Sequence, residues 1–504
     1  MSYRSLPESV TALEEEVLKL WSNEDTFQRS LECQDGEPEF VFYEGPPTAN
    51  GRPGVHHVMA RTIKDTIARY RSMTGRHVTR IAGWDTHGLP VEIEAEKQLG
   101  ISGKPDIDRL GIAEFNAVCR ENLFTYKEDW EQLSQRIGYW LDYDRPYVTC
   151  SPEYIESVWW ALGEIDRKGL LYLGYKILPY CPRCGTGLSS HEVAQGYADR
   201  TDPSIFIRLP VVGEPGQHLL IWTTTPWTLV SNVAVAFGPD VTYVEVALDG
   251  DRYILARSRV EAVFGDDAVI ERGVPVAELE LLEYARPLPL DPSYPATNGR
   301  SLPADFVSDS DGTGLVHISP AFGADDFALG QRAGLPIVRP VDDAGRFLAD
   351  VAEVGGLPVK DADARLEQIL EERGLLFRRG RINHSYPHCW RCETPLIYMA
   401  RDSWYVRTTA VRDRMLAENA SISWHPPEIG AGRMGEWLEN NIDWAISRDR
   451  YWGTPLPIWL CDTCEAREVV GSYEALSDRV DGLPDHFDPH RPEIDDYSWD
   501  CSSE

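Results

Sequence analysis

The stretch "PEFVFYEGPPTANGRPGVHHVMARTIKDTIARYRSMTGRHVTRIAGWDTHG", residues 38–88, decides the fold. Its first residues alternate in character and stop at Gly45, Pro46 and Pro47, which predicts a short strand and a turn. "GVHHVMARTIKDTIARYRSMTG" continues as a helix stopped by Gly75, and "HVTRIAGWDTHG" reads as the next strand and its loop. Strand, glycine-rich turn, helix and strand make a βαβ unit of a parallel nucleotide-binding sheet, whose ligands lie at the carboxyl ends of the strands. The turn in question runs directly into two adjacent histidines, His56 and His57.

A neutral imidazole near a helix N-terminus can donate to phosphate oxygens, where exposed backbone N–H groups and the helix dipole already favour negative charge. The pair could therefore grip a nucleoside triphosphate. Taken as two residues alone, they read instead as one histidine packed in the core and one in solvent. Shared zinc ligation does not suit them, because adjacent helix positions point about 100° apart.

A chain of 504 residues exceeds one ordinary core, so two or three domains are expected. A net charge of -32 excludes polyanion binding through the overall field, although a local basic groove could still hold nucleic acid. "MSYRSLPESVTALEEEVLKLW" lacks the apolar core of a signal peptide, and no later run approaches a membrane span. A soluble cytoplasmic protein is expected. The ten cysteines fall mostly in CxxC pairs, which favours metal thiolates in a reducing compartment over disulfides.

Ser5 to Trp21 carries Val10, Leu13, Val17, Leu18 and Trp21 at helical spacing, giving an N-terminal helical segment within residues 1–40. The parallel-sheet domain then occupies 41–185. From Thr186 to His384 the texture changes to short alternating strands, "SIFIRL", "HLLIW", "VTYVEVAL" and "RYILA", so 186–384 reads as an inserted β-rich domain. Helical and aromatic patterns return in 385–504, at "WYVRTTAVRDRMLAENA" and "EWLENNIDWAISRDRYWG". Leu476 to Glu504 is acidic and rich in proline, without a helix or strand to close a domain.

"CPRC" (Cys181, Cys184) and "CWRC" (Cys389, Cys392) bracket the inserted segment. Together they offer four thiolates, the set of a closed structural zinc site with no open position for catalysis. The intervening gap of about two hundred residues is too long for a small zinc finger and suits a clasp at the base of an insertion. "CDTC" gives Cys461 and Cys464, followed only by Cys501; three thiolates leave a possible second zinc site one ligand short.

The motifs "PTANG", "GWDTHGLPVE", "WTTTPWTL", "GTGLVHISPAFGADD" and "RYWGTPLPIW" occur in the order found in isoleucyl-tRNA synthetases, class I enzymes with a Rossmann catalytic domain, which the whole chain closely resembles. The resemblance implies an α/β fold in which a Rossmann-type parallel sheet is interrupted by a β-rich editing domain. It also implies ATP with Mg2+, isoleucine and tRNA(Ile) as substrates, structural zinc, and a monomer. Aligned on "PTANG", the family's HIGH motif falls on Gly54, Val55, His56 and His57. His57 matches the final histidine, Gly54 replaces the first, and His56 stands at the glycine position.

By the same resemblance Asp85 binds the substrate ammonium, for which a carboxylate is the natural partner. Gly45 and Pro46 bring backbone against the aliphatic side chain and adenosine, and Asn50, Gly54, Trp84 and His87 belong to the substrate and ATP pocket, with Trp84 and His87 equally readable as packing. Neither activation nor transfer needs a protein nucleophile, so positioning and charge stabilisation supply the acceleration. Arg448 and Arg450 of "SRDRYWG" face nucleic acid or solvent.

One methylene in an apolar pocket is worth only about 1–3 kcal/mol, a limit for which isoleucine against valine in this very family is the standard illustration. Hydrolytic editing of valine follows as a need, and the insertion resembles the family's editing module. Thr223, Thr224, Thr225 and Thr228, with Asn232, offer groups to orient water and the terminal ribose. Asp326 matches the aspartate that anchors the ammonium of mischarged valine, and His317 contacts the substrate or shapes the pocket. Leucine- and valine-specific enzymes share the insertion. No KMSKS-like loop follows it, so the expected reading is the N-terminal portion of a synthetase, with a stand-alone aminoacyl-tRNA deacylase or tRNA-binding remnant as the alternative.

Overall fold

The computed structural model describes residues 9–48, 51–266, 268–294, 297–464 and 466–501. The chain forms two compact units, Met1–Gly169 with Arg450–Glu504, and Leu170–Asp449. It is a mixed α/β fold with parallel and antiparallel sheets. Among the described residues no helix is long and apolar enough to cross a membrane.

In the first unit the βαβ unit forms as its pattern demands, with one departure. The helix Val55–Met73 leads to the strand Ile81–Trp84, which pairs in parallel with Asp142–Val148. Residues 39–48 run beside this segment without joining the ladder, with two isolated parallel bridges that flank Ile81–Trp84, Glu39 with His77 and Thr48 with Asp85. The expected continuous strand is interrupted by Tyr147. A Cβ added to Gly83 would lie 2.2 Å from the Tyr147 ring, and that phenol donates to the Glu44 carbonyl at 3.0 Å. A side chain thus takes the carbonyl that a ladder N–H would otherwise engage.

The helix Val55–Met73 buries Arg61, Ala68 and Ser72. The Arg61 guanidinium lies 4.9 Å from the Trp130 ring centre and 5.2 Å from that of Tyr139. Its opposite stripe, Val55, Met59, Ile63, Ile67, Tyr70 and Met73, is exposed. The N-terminal helix spans Val10–Asn23, with Ser9 accepting from the Ala12 N–H; Ser5 to Glu8 lie outside the described residues. The C-terminal stretch, expected to lack a closing element, does fold. Phe487 and Ile494 join Ile155, Trp159, Val470 and Leu476 in one buried cluster, so apolar burial orders a segment that has little regular backbone pairing.

The second unit is built on two antiparallel ribbons. Leu171–Cys181 pairs with Ile397–Val406, and Tyr197–Pro210 pairs with Leu376–Pro387. The latter pair forms one edge of a six-stranded sheet that contains each of the four strands read from the sequence. A four-stranded sheet carries Ala234–Phe237 and Leu315–Ile318. The helical expectation after residue 403 holds only in part. Trp404, Tyr405 and Val406 lie opposite Leu173, Tyr172 and Leu171, and the helix starts at Arg412. In "EWLENNIDWAISRDRYWG" the helix is confined to Gly435–Glu439, and Trp444–Ala445 is a strand. Aromatic and β-branched residues with a strand partner within reach follow that partner rather than local spacing.

Candidate functional site

In the first unit the candidate residues collect where residues 39–48 and Ile81–Trp84 end. The Asp85 N–H donates to the Pro47 carbonyl at 3.0 Å, so Gly45, Pro46 and Asp85 share one strand end. Gly45 is exposed; Pro46 and Asp85 are half-buried. Asn50 lies outside the described residues.

Gly54 caps the helix Val55–Met73, and its N–H donates to Nδ1 of His57 at 2.8 Å. An accepting Nδ1 places the proton of the neutral ring on Nε2, leaving a donor at the helix N-terminus. Burial, then the neighbouring His56 and Arg61, lower the His57 pKa and keep the ring neutral. The exposed His56 ring folds over Gly54: a Cβ there would meet His56 Cε1 at 2.9 Å. Glycine at 54 and histidine at 56 therefore fit one another. The two imidazole centroids are 3.8 Å apart, and His57 lies 4.6 Å from the Trp130 ring. The Trp130 indole N–H donates to the Gly51 carbonyl at 2.8 Å and holds the preceding turn.

Trp84 is 1% exposed and packs with Trp130, which places it in the core beneath the strand end. The following turn is fastened twice. The Thr86 N–H donates to the Thr149 hydroxyl at 2.9 Å, and the Trp452 indole N–H donates to the Thr86 carbonyl at 2.7 Å. His87 Nε2 lies 2.7 Å from His490 Nε2, and His87 Nδ1 lies 3.3 Å from the Thr454 hydroxyl. Burial, with His490 and Arg120 adding to it, pushes the His87 pKa down to about 3. Arg450, expected to face nucleic acid or solvent, is instead buried against Glu92 at 3.3 Å, and the N–H groups of Tyr451 and Trp452 both donate to Glu92 at 2.9 Å. Arg448, half-buried, likewise pairs with the half-buried Glu192 at 2.9 Å, so each guanidinium meets a carboxylate that the fold brings beside it.

In the second unit a hydrogen-bonded chain links the hydroxyls of Thr223, Thr225 and Thr228, each step 3.3 Å, and Thr228 lies 3.1 Å from His317 Nε2. Burial takes the His317 pKa down to about 4, so the ring is neutral near pH 7. Thr224 is half-buried on the same turn. Asn232 turns elsewhere: its side-chain carbonyl accepts from the Tyr284 hydroxyl at 2.7 Å, and its amide donates to Ala234 at 3.0 Å. Asp326, in the first turn of the helix Ala324–Ala333, accepts the Ser319 N–H at 2.7 Å, two residues beyond His317. Burial raises its pKa to about 6, aided by Asp325 and opposed by the Ser319 N–H.

The sulfurs of Cys181, Cys184, Cys389 and Cys392 all lie within 4.8 Å of one another, and those of Cys461, Cys464 and Cys501 form a second such group. Cys392 Sγ is 3.5 Å from Cys181 Sγ and 3.4 Å from Cys184 Sγ. Zn–S bonds of about 2.3 Å in a tetrahedron require S–S distances near ~3.8 Å, so this donor set fits the ion.

Trp130, Tyr147, Thr149, Glu92 and His490 carry no local sequence signal of their roles. The separations in their contacts explain this, 63 positions for Thr86 with Thr149 and 403 for His87 with His490.

A family model of class I tRNA synthetases (I, L, M and V) matches residues 16–483. The chain is similar to isoleucine–tRNA ligase of Streptomyces coelicolor, 52% identical over 513 residues, covering 100% of this chain and 48% of the relative. The isoleucine–tRNA ligase of Clostridium acetobutylicum is 48% identical over 98% of this chain and 47% of its own length. That of Thermus thermophilus is 47% identical over 97% of this chain and 47% of its own. The chain thus spans about half the length of the curated relatives it matches.

Proposed function

The chain belongs to the class I tRNA synthetases (I, L, M and V), and from that premise we propose that it carries the activating and editing portions of an isoleucine–tRNA ligase. The name shared by its relatives supports isoleucine as the substrate. In activation, a carboxylate oxygen of isoleucine attacks the α-phosphorus of ATP and pyrophosphate leaves. In transfer, the terminal ribose hydroxyl of tRNA(Ile) attacks the acyl carbon and AMP leaves. Asp85 binds the ammonium, Gly45 and Pro46 approach the side chain and adenosine, and His57 donates from Nε2 to the phosphates at the helix N-terminus. His56, on the same turn, adds a second donor. Magnesium enters with ATP. A zinc ion held by Cys181, Cys184, Cys389 and Cys392 would supply structural cross-linking only. A cytoplasmic monomer accompanies this reading.

Thr228 and His317 orient water for hydrolysis of mischarged valyl-tRNA(Ile), and Asp326 anchors the valine ammonium. Water attacks the acyl carbon, and the ribose oxygen leaves with a proton.

The observation that carries the proposal is the Asp85 N–H bond to the Pro47 carbonyl, which brings a carboxylate to the strand end that holds Gly45 and Pro46. ATP–pyrophosphate exchange tests it: isoleucine should drive exchange, with leucine and valine far behind. A second reading, deacylation without activation, is supported by the compactness of Leu170–Asp449 as a unit of its own. Hydrolysis of valyl-tRNA(Ile) with no amino-acid-dependent exchange would select it.

A further inference from the structure

Behind the Asp85 turn lies a chain of polar side chains with no place in the proposed reaction. His490 is 1% exposed, and its Nδ1 lies 2.6 Å from Asp488 Oδ1. The same carboxylate pairs with Arg120, whose guanidinium sits 5.1 Å from the centre of the Trp452 ring. Trp452 stacks on His490 with centroids 4.4 Å apart and planes 6° from parallel. His490 Nε2 meets His87 Nε2 at 2.7 Å, and the Thr454 hydroxyl closes the series on His87 Nδ1 at 3.3 Å.

With His490 neutral, donor and acceptor accounting gives this series one direction. A carboxylate only accepts, so His490 Nδ1 donates to it. Although burial opposes the charge, hydrogen bonds from His490 and the charge on Arg120 hold the Asp488 pKa at about 2. Arg120 already neutralises the carboxylate, so a cationic His490 would add a second positive charge beside it. With His490 neutral, its Nε2 accepts, His87 Nε2 must donate, and His87 Nδ1 accepts from Thr454. The order is Thr454 O–H to His87, His87 to His490, His490 to Asp488.

We propose that Asp488 and His490 are positioning residues that lock His87 as its Nε2–H tautomer and thereby fix the Asp85–Gly88 turn for the substrate ammonium. The inference rests on the assignment of Asp85 made above. Asn116 strengthens the arrangement, since its amide donates to the carbonyls of Tyr451 at 2.9 Å and Arg491 at 2.7 Å, the neighbours of the stacked Trp452 and His490.

The test uses the protein labelled with 15N-histidine, with His87 and His490 assigned through His87→Gln and His490→Gln. At pH 7 in the absence of substrates, both rings should be neutral, His87 protonated on Nε2 and His490 on Nδ1. The opposite tautomer or a cationic ring at either position overturns the relay, whatever the activity. In isoleucine-dependent exchange, His490→Leu should raise the isoleucine KM about tenfold with kcat within about twofold, the loss expected for one buried polar contact. His490→Gln, whose carbonyl can accept from His87 while its amide donates to Asp488, should restore KM. An unchanged KM in His490→Leu overturns the positioning role. Wild-type protein with the expected tautomers but no isoleucine-dependent exchange would sink the proposed function while leaving the tautomer lock standing.

Discussion

The backbone N–H of Gly54 donates to Nδ1 of His57 at 2.8 Å, so the residue that caps the helix is bonded to the imidazole three positions on. The same glycine leaves room for the His56 ring, which a Cβ at 54 would meet at 2.9 Å. Gly54 and His56 are therefore sterically linked.

That linkage predicts strong non-additivity. Gly54→His alone should lower ATP–pyrophosphate exchange by at least tenfold, because its Cβ displaces the His56 ring. Adding His56→Gly should recover most of the rate. Exchange measured for both single variants and the pair gives the coupling energy, expected at about 1–3 kcal/mol for residues in contact. His57→Ala should cost about 100-fold through loss of one preorganised donor.

Asp326 predicts a pH dependence for editing. Its folded pKa, about 6, lies above the ordinary value of 3.8. An ammonium anchor must be ionised, so hydrolysis of valyl-tRNA(Ile) should fall as pH drops through about 6, chiefly in KM. The stability term has the opposite sense: a raised carboxyl pKa contributes stability that is fully present below 3.8 and lost as pH rises through about 6. Asp326→Asn should therefore be slow at every pH without losing thermal stability near neutrality. A variant as fast as wild type would remove Asp326 from the editing site.

The cysteine clusters predict unequal metal content. Elemental analysis should find zinc held by Cys181, Cys184, Cys389 and Cys392, and Cys389→Ser should release it and lower the melting temperature of the second unit. Cys464→Ser should leave that zinc in place.

Glu92 predicts a stability cost at Arg450, which the sequence left facing either nucleic acid or solvent. Its carboxylate accepts the N–H groups of Tyr451 and Trp452 and pairs with buried Arg450. Glu92→Ala strands a buried guanidinium and should destabilise the first unit by about 3–5 kcal/mol in urea unfolding, since breaking one partner of a buried pair leaves its charge uncompensated.

What the sequence by itself determined is what short range controls. Helical spacing ran from Val55 to Met73, and alternation marked the strands of the insertion. The CxxC spacing also announced four thiolates, because a pair of cysteines three positions apart presents both sulfurs locally. Only the tertiary structure decided the rest. It interrupted the first strand with the Tyr147 phenol, drew Trp404–Val406 into a sheet, sent Asn232 to Tyr284, and turned His87 toward His490. In each case the deciding partner lies dozens to hundreds of positions away. A polar or aromatic side chain that leaves water must satisfy its hydrogen bonds and packing with whatever the fold places beside it. Local spacing carries no information about that neighbour.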